Sequence, residues 1–338
     1  MLERPDLQDD KIIASLQTAY GLPIRRVEFL PLGVDVNAAV YRALDEHGTP
    51  YFVKLRRGDF DDMVVALPKF LSDRGIAQII APLATQTGQL WAGLDDYKLV
   101  LFPFIEGRDG YHVALTEIQW INFGVALRQV HTTVLPPALK VRIPQETYSA
   151  RYREMVRQFL VRGADDTYDD AARQMAAFLE EKRDAIADLV RRAEALAQSL
   201  QSQSPAFVPC HSDIHAGNLL IPSAELFYIV DWDNPILAPK ERDLMFIGGA
   251  QGFVGYTAQA EENLFYRGYG QVPIDLRALA YYRYERIVED LAAFGQFLLL
   301  TNDGGEDRAQ ALTFVKSNFL PNSTIENAYR SDNALLGR

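Results

Sequence analysis

The spacing of apolar residues changes once along this chain, at Glu106-Gly107, and that change constrains the fold more than any other feature. Upstream, short runs of β-branched and aromatic residues are separated by turn residues, as strands require. Val27–Leu32 and Ala38–Leu44 bracket a loop containing Gly33, and Asp45-Glu46-His47-Gly48 reads as the turn into a third strand, Tyr51–Leu55. A helix is expected over Phe60–Arg74, with Pro68 kinking it or removing a turn. Leu90–Trp91 and Lys98–Phe102 read as another hairpin. Downstream the period becomes helical. Thr116 and Gln119 have capping-box spacing ahead of Trp120, Phe123, Leu127 and Val130 on one face. Asp165–Gln201 reads as a long amphipathic stretch and Leu276–Leu300 as a further helix. The expected fold class is α+β, with a small β-rich lobe at residues 1–104 and a larger, mainly helical lobe at 105–338.

Composition removes several classes of function. Cys210 is the only cysteine, which excludes a disulfide framework and any cysteine-built metal cluster, and fits a reducing, cytoplasmic setting. The 34 basic and 45 acidic side chains leave a formal charge of −11, which argues against a nucleic-acid partner. The longest apolar stretches, Leu99–Ile105 and Phe297–Leu300, are far short of the roughly 20 residues a membrane span needs. Met1–Asp10 is charged and does not resemble a signal peptide.

One segment carries chemistry. Between helical stretches lies Pro209-Cys210-His211-Ser212-Asp213-Ile214-His215-Ala216-Gly217-Asn218, then two apolar runs around Pro222–Glu225, then Asp231-Trp232-Asp233. Read as a hairpin centred between Ala224 and Glu225, it sets Leu219 opposite Val230 and Asn218 opposite Asp231. An amide oxygen and a carboxylate side by side are hard ligands suited to Mg²⁺. Asp213 lies on the loop feeding that pair. His211-x-Asp213-x-His215 also admits a metallohydrolase reading, although His47, His112 and His131 supply no second cluster.

The order Asp213, Asn218, Asp231 resembles the catalytic set of the protein kinase-like fold. His211-x-Asp213-x4-Asn218 followed by Asp231-x-Asp233 is similar to the aminoglycoside phosphotransferase branch, as are Ala238–Gly249 and Tyr281–Asp290. The resemblance implies ATP- and Mg²⁺-dependent O-phosphorylation of a small cationic acceptor by a monomeric enzyme. Spectinomycin or a related aminocyclitol or aminoglycoside is the expected acceptor. Choline, homoserine or a methylthioribose-like sugar is the alternative, and a non-catalytic binding relative the remaining one.

Residue by residue, the resemblance makes Asp213 the base that takes the acceptor's proton, with Asn218 and Asp231 on the metal. Lys54, by itself readable as a solvent-facing strand lysine, would reach the α/β-phosphates, with Asp62 as its acidic partner. Phe102 would stand behind the adenine, which bonds the backbone of Pro103 and Ile105. The loop Leu32–Asn37 has one glycine and no Gly-x-Gly-x-x-Gly, which separates the chain from protein kinases in the narrow sense. Asp243 would brace the catalytic loop and His211 support it. Glu285 and Glu289, one helical turn apart, have two readings: an anionic wall for the acceptor's ammonium groups, or a surface ion-pair lattice with Arg286 and Asp290.

Overall fold

The N-terminal sheet is built by alternation. The computed structural model describes all residues except 1, 2, 34, 36, 163–166, 204, 250, 251, 303, 322, 336 and 338. Val34 and Val36 of the loop in the phosphate-loop position, and Asp165 at the start of the expected long helix, therefore lie outside the described residues. Helix α1 (Asp9–Tyr20) leads into β1 (Ile24–Leu30), β2 (Ala38–Asp45) and β3 (Pro50–Arg57). Asp45 Oδ1 accepts from the N–H groups of His47 and Thr49 at 2.9 and 2.7 Å, which closes the expected turn. After α2 (Met63–Asp73) come β4 (Ala92–Leu94) and β5 (Tyr97–Pro103), giving an antiparallel sheet in the order β1-β2-β3-β5-β4. Val53, Leu55, Leu99 and Leu101 pack against Ile12 and Leu16 of α1. Lys54 points to the opposite face, between Val40 and Val100 on the neighbouring strands.

Two local expectations shift. Helix α2 starts at Met63 and not Phe60, because Asp61 Oδ1 accepts from the Met63 N–H at 2.9 Å and Phe60 packs edge-on against Trp91. Pro68 lies inside that helix. The first strand of the second hairpin begins at Ala92, two residues later than expected, and the second at Tyr97, one earlier. Leu94 pairs with Tyr97 across a two-residue turn in which Asp95 is left-handed (φ 50°).

Past Pro103, β6 (Arg108–Asp109) leads to α3 (Glu117–Thr132), whose capping box between Thr116 and Gln119 is present. Then come α4 (Pro137–Lys140), α5 (Arg151–Val161), α6 (Asp170–Glu181) and α7 (Arg183–Gln201). The expected long stretch is thus two helices, broken at Lys182 (φ −99°, ψ 11°) so that Met175 and Phe178 on one, and Ile186 and Leu189 on the other, reach one core. Short strands β7 (Val208–Cys210), β8 (Leu219–Ile221), β9 (Tyr228–Ile229) and β10 (Ile236–Ala238) follow, then α8 (Glu241–Leu244) and α9 (Ala258–Tyr269). Helix α10 (Leu276–Leu300) has the bounds expected of it, and α11 (Gly305–Ser317) and α12 (Thr324–Leu335) pack beside it.

Helix α10 joins two cores. Its Tyr281 and Tyr282 enter one with Trp120, Phe123 and Phe246, and its Ile287, Val288 and Leu291 enter the other with α6 and α7. The first core also takes Met63, Leu67 and Leu71 of α2, beside Ile214, Leu219 and Ile229. Ile229 N–H donates to Gln78 O at 2.7 Å. Helix α2, encoded among the strands, is thereby packed onto the segment that carries chemistry.

Candidate active site

The loop after β7 is held from below by one buried carboxylate. Asp243 Oδ2 accepts from His211 N–H at 3.0 Å and Oδ1 from Ser212 N–H at 2.6 Å. Asp243 is fully buried, and its Oδ2 also meets His131 Nε2 at 3.0 Å, whose Nδ1 meets Tyr269 Oη at 2.7 Å. Ser212 takes φ 71°, an unfavourable conformation for a residue with a side chain, and its N–H bond to Asp243, its Oγ bond to Asn234 O and the neighbouring His211 N–H bond to Asp243 hold it there. His211 accepts from Asp213 N–H at Nδ1 (3.2 Å), so Nε2 carries the proton donated to Val230 O (2.9 Å). Both ring nitrogens of His211 are committed to the backbone, and His215 Nδ1 accepts from Gly217 N–H and lies 3.0 Å from Tyr111 Oη. These bonds remove the metallohydrolase reading. Among the described residues, the one group of ligand atoms close enough to share an ion is His131, Cys210 and Asp243, and its His and Asp are the brace just described.

The hairpin differs from expectation by one residue. Leu219 pairs with Ile229 and Leu220 with Tyr228, and Val230 N–H donates to Asn218 O at 3.0 Å. Two contacts set this register. Ser223 Oγ accepts from the N–H groups of Glu225 and Leu226, and Gln119 Nε2 of α3 donates to Ser223 O (2.8 Å) and Leu226 O (2.9 Å). A one-residue slip reverses the side chains of a strand. Here Asp231 leaves the strand with φ 66°, and its carboxylate reaches the cleft beside Lys54.

Lys54 Nζ lies 2.5 Å from Asp231 Oδ1 and 2.8 Å from both oxygens of Asp233. Burial works against its charge, but the two carboxylates outweigh burial and raise its pKa. Asp231 is lowered in turn, because Lys54 outweighs its burial. Arg56, on the same face of β3, is 2.7 Å from Asp233 Oδ2. Asp62 is not the partner of Lys54: it stands at the start of α2 and pairs with Arg142. Its short side chain, on the helix rather than the strand, is claimed by the nearer cation.

Asp213 Oδ1 receives Arg286 Nη1 of α10 at 2.5 Å. Burial opposes its charge, yet Arg286, then His215 and His211, hold its pKa down to about 2. Asn218 Nδ2 donates to Asp213 O at 2.7 Å, which leaves Asn218 Oδ1 as the amide atom able to act as a ligand. An amide oxygen and the Asp231 carboxylate form a donor set that fits Mg²⁺, which keeps waters and takes other ligands from phosphates. On the sheet, Phe102 pairs with Phe52, their rings 6.4 Å apart, and Pro103 and Ile105 continue toward Gly107. Gly107 fits closely there: a Cβ would lie 2.9 Å from Leu220 Cδ1 and 3.0 Å from the Ile221 carbonyl oxygen, so its neighbours would have to shift.

Glu285 and Glu289 do not form an open wall. Glu285 is 3% exposed and bonded to Arg153 Nη1 at 2.6 Å, and its burial raises its pKa to about 7 despite that partner. Glu289 pairs with Arg242 Nη2 at 3.0 Å. The alternative reading is also corrected, since the Arg286–Asp290 pair (3.3 Å) is half-buried and tied to Asp213 rather than spread over the surface. The spacing of α10 had placed Arg286 beside Asp290 but gave no sign of its reach to Asp213. Arg56 and His131 carried no sequence signal beyond their residue type.

This arrangement is that of a phosphotransferase of the protein kinase-like fold, and comparison with known proteins says the same. Residues 28–264 match the profile of the Phosphotransferase enzyme family, and the chain belongs to that family. A spectinomycin phosphotransferase solved with ADP and spectinomycin is 38% identical to it, with a TM-score of 0.89 over 97% of this chain and 99% of that one. Protein StrN of Streptomyces griseus is 26% identical over 228 residues, 64% of this chain and 67% of its own length. A choline kinase of Streptococcus pneumoniae, 14% identical with a TM-score of 0.57 over 95% of this chain and 98% of that one, shares the fold. Among the described residues no helix is long and apolar enough to cross a membrane.

Proposed function

We propose that the chain transfers the γ-phosphoryl group of ATP to a hydroxyl of spectinomycin or a closely related aminocyclitol. The observation that carries this reading is the 38% identity to a spectinomycin phosphotransferase across 97% of the chain, helical lobe included. Nucleotide lies between residues 1–104 and 105–338. The carbonyl of Pro103 accepts from the adenine amino group, the N–H of Ile105 donates to the ring, and Phe102 closes the pocket behind it. Lys54 turns to the α/β-phosphates. Asn218 and Asp231 hold Mg²⁺, which when bound offsets charge on the phosphates. Asp213 orients the acceptor hydroxyl and takes its proton, while Arg286 fixes the carboxylate. With His211 and Asp243 holding the loop, catalysis is mostly positioning. A carboxyl group with a pKa near 2 is a weak base, which suits a loose transition state in which the nucleophile loses its proton late.

With Glu285 and Glu289 engaged elsewhere, the cationic acceptor rests on likeness and on the charge of −11. The buried Cys210 supports a cytoplasmic enzyme. Incubating purified protein with ATP, Mg²⁺ and a panel of spectinomycin, choline, homoserine and methylthioribose tests the assignment. Spectinomycin heavier by one phosphoryl group is expected. Efficient phosphorylation of another acceptor, with spectinomycin unchanged, would remove the substrate assignment and leave the kinase chemistry standing.

A further inference from the structure

Two cations and two carboxylates meet under the sheet, and the sharing is uneven. Lys54 and Arg56 are two residues apart on β3 and so share a face. Asp231 is contacted by Lys54 alone of these two, whereas Asp233 accepts from Lys54 Nζ at 2.8 Å and has Arg56 Nη1 beside it at 2.7 Å as an ion pair. The side chains of Lys54, Arg56 and Asp233 are only 17%, 22% and 19% exposed. In such surroundings a carboxylate stripped of its only cation is strongly destabilising. If Lys54 were the sole partner of Asp233, its departure toward a phosphate would leave that charge stranded.

We propose that Arg56 is a positioning residue that holds Asp233, so that Lys54 can leave Asp233 for the nucleotide phosphates. The inference rests on the reading that Lys54 serves those phosphates. The residue types suit the division of labour. A guanidinium is a planar fork suited to a fixed carboxylate pair, and an ammonium on a flexible stem suits the partner that moves. Asp233 is two residues beyond Asp231, whose backbone is held at φ 66°, so an anchored Asp233 also steadies the turn that presents Asp231.

Calorimetric titration of the full chain with ATP in EDTA isolates this step from the metal. Lys54→Met must weaken ATP binding. If it does not, the phosphate reading of Lys54 fails and the inference falls with it. Given that loss, Arg56→Met is expected to weaken binding about tenfold or more, because Asp233 then retains Lys54 and diverts a charge-assisted bond. Adding Asp233→Asn to Arg56→Met should leave Asp231 as the one carboxylate that Lys54 must leave, as in the parent where Arg56 holds Asp233. Binding should then return to within about threefold of the parent, which requires strong coupling between the two sites. Asp233→Asn alone should bind ATP at least as tightly as the parent, and does not depend on the fold of the Arg56 variants. Parental affinity in Arg56→Met, or a double variant no better than Arg56→Met, would overturn the proposal. So would weakened metal-free binding in Asp233→Asn alone.

Discussion

Arg153 is the most enclosed cation facing α10, 1% exposed, with Glu285 at 2.6 Å, Glu194 at 2.9 Å and the Tyr148 carbonyl at 3.0 Å. Removing one partner of a buried pair strands the other. Glu285→Ala is therefore expected to lower stability by about 3–5 kcal/mol while leaving the acceptor KM unchanged. Thermal unfolding alongside acceptor kinetics checks it, and a raised KM at unchanged stability would return Glu285 to the acceptor wall. Spacing alone could not choose between these readings. It places Glu285 and Glu289 one turn apart but does not show that Arg153 and Arg242, from other elements, reach them. The grouping of Asp213, Asn218 and Asp231 was legible because two carboxylates and an amide in this order, with two apolar runs between the last two, are seldom accidental. The pairing of Asp62 was not, since Arg142 lies eighty residues away in the chain.

Helix α3 and the β8–β9 hairpin share one side chain that holds both. Gln119 completes the capping box through Oε1 and holds the hairpin loop through Nε2, with no exposed surface. Gln119→Leu should cost about 2–3 kcal/mol, for three lost hydrogen bonds at about 1 kcal/mol each, from Thr116 N–H and to the Ser223 and Leu226 carbonyls. It should also lower kcat, because the loop it holds sets the register that delivers Asp231. Denaturant unfolding and steady-state rates test both. An unchanged kcat in the folded variant would show that the register does not depend on Gln119. The same side chain explains the one-residue error in the register read from sequence, which placed the turn by symmetry of the apolar runs. Tertiary packing likewise divides α6 from α7 at Lys182, where no glycine or proline signals a break. Helix α10, by contrast, is long, apolar and bounded by a capping Asp275, so its limits could be read directly.

Across the whole molecule, stability carries a pH dependence from buried acids outside the site. Glu261 of α9 is 5% exposed, accepts from Gly248 N–H at 3.2 Å, and is pushed up to about 7 by burial. Between its ordinary value near 4.5 and about 7, the folded chain holds a proton that the unfolded chain has released. This contribution is complete below pH 4.5 and declines as pH rises through 7. Glu261→Gln should flatten that decline, by up to about 3 kcal/mol between pH 5 and 8. Unfolding midpoints at those two pH values report it, and an equal decline in parent and variant would place the titration elsewhere.

The two-lobed fold brings Lys54 from the sheet against Asp231 beyond β9, and Arg286 from α10 against Asp213, so the cleft belongs to the whole chain. The most direct measurement is phosphoryl transfer from ATP to spectinomycin by the parent and by Asp213→Ala, with nucleotide affinity measured on both. The parent should yield phosphorylated spectinomycin. Asp213→Ala should lose about 10²–10⁴-fold in rate while binding nucleotide as the parent does, since the role proposed for Asp213 is toward the acceptor and not the phosphates. Transfer by Asp213→Ala at near-parental rate, or none by the parent to any acceptor, would contradict the assignment of this cleft.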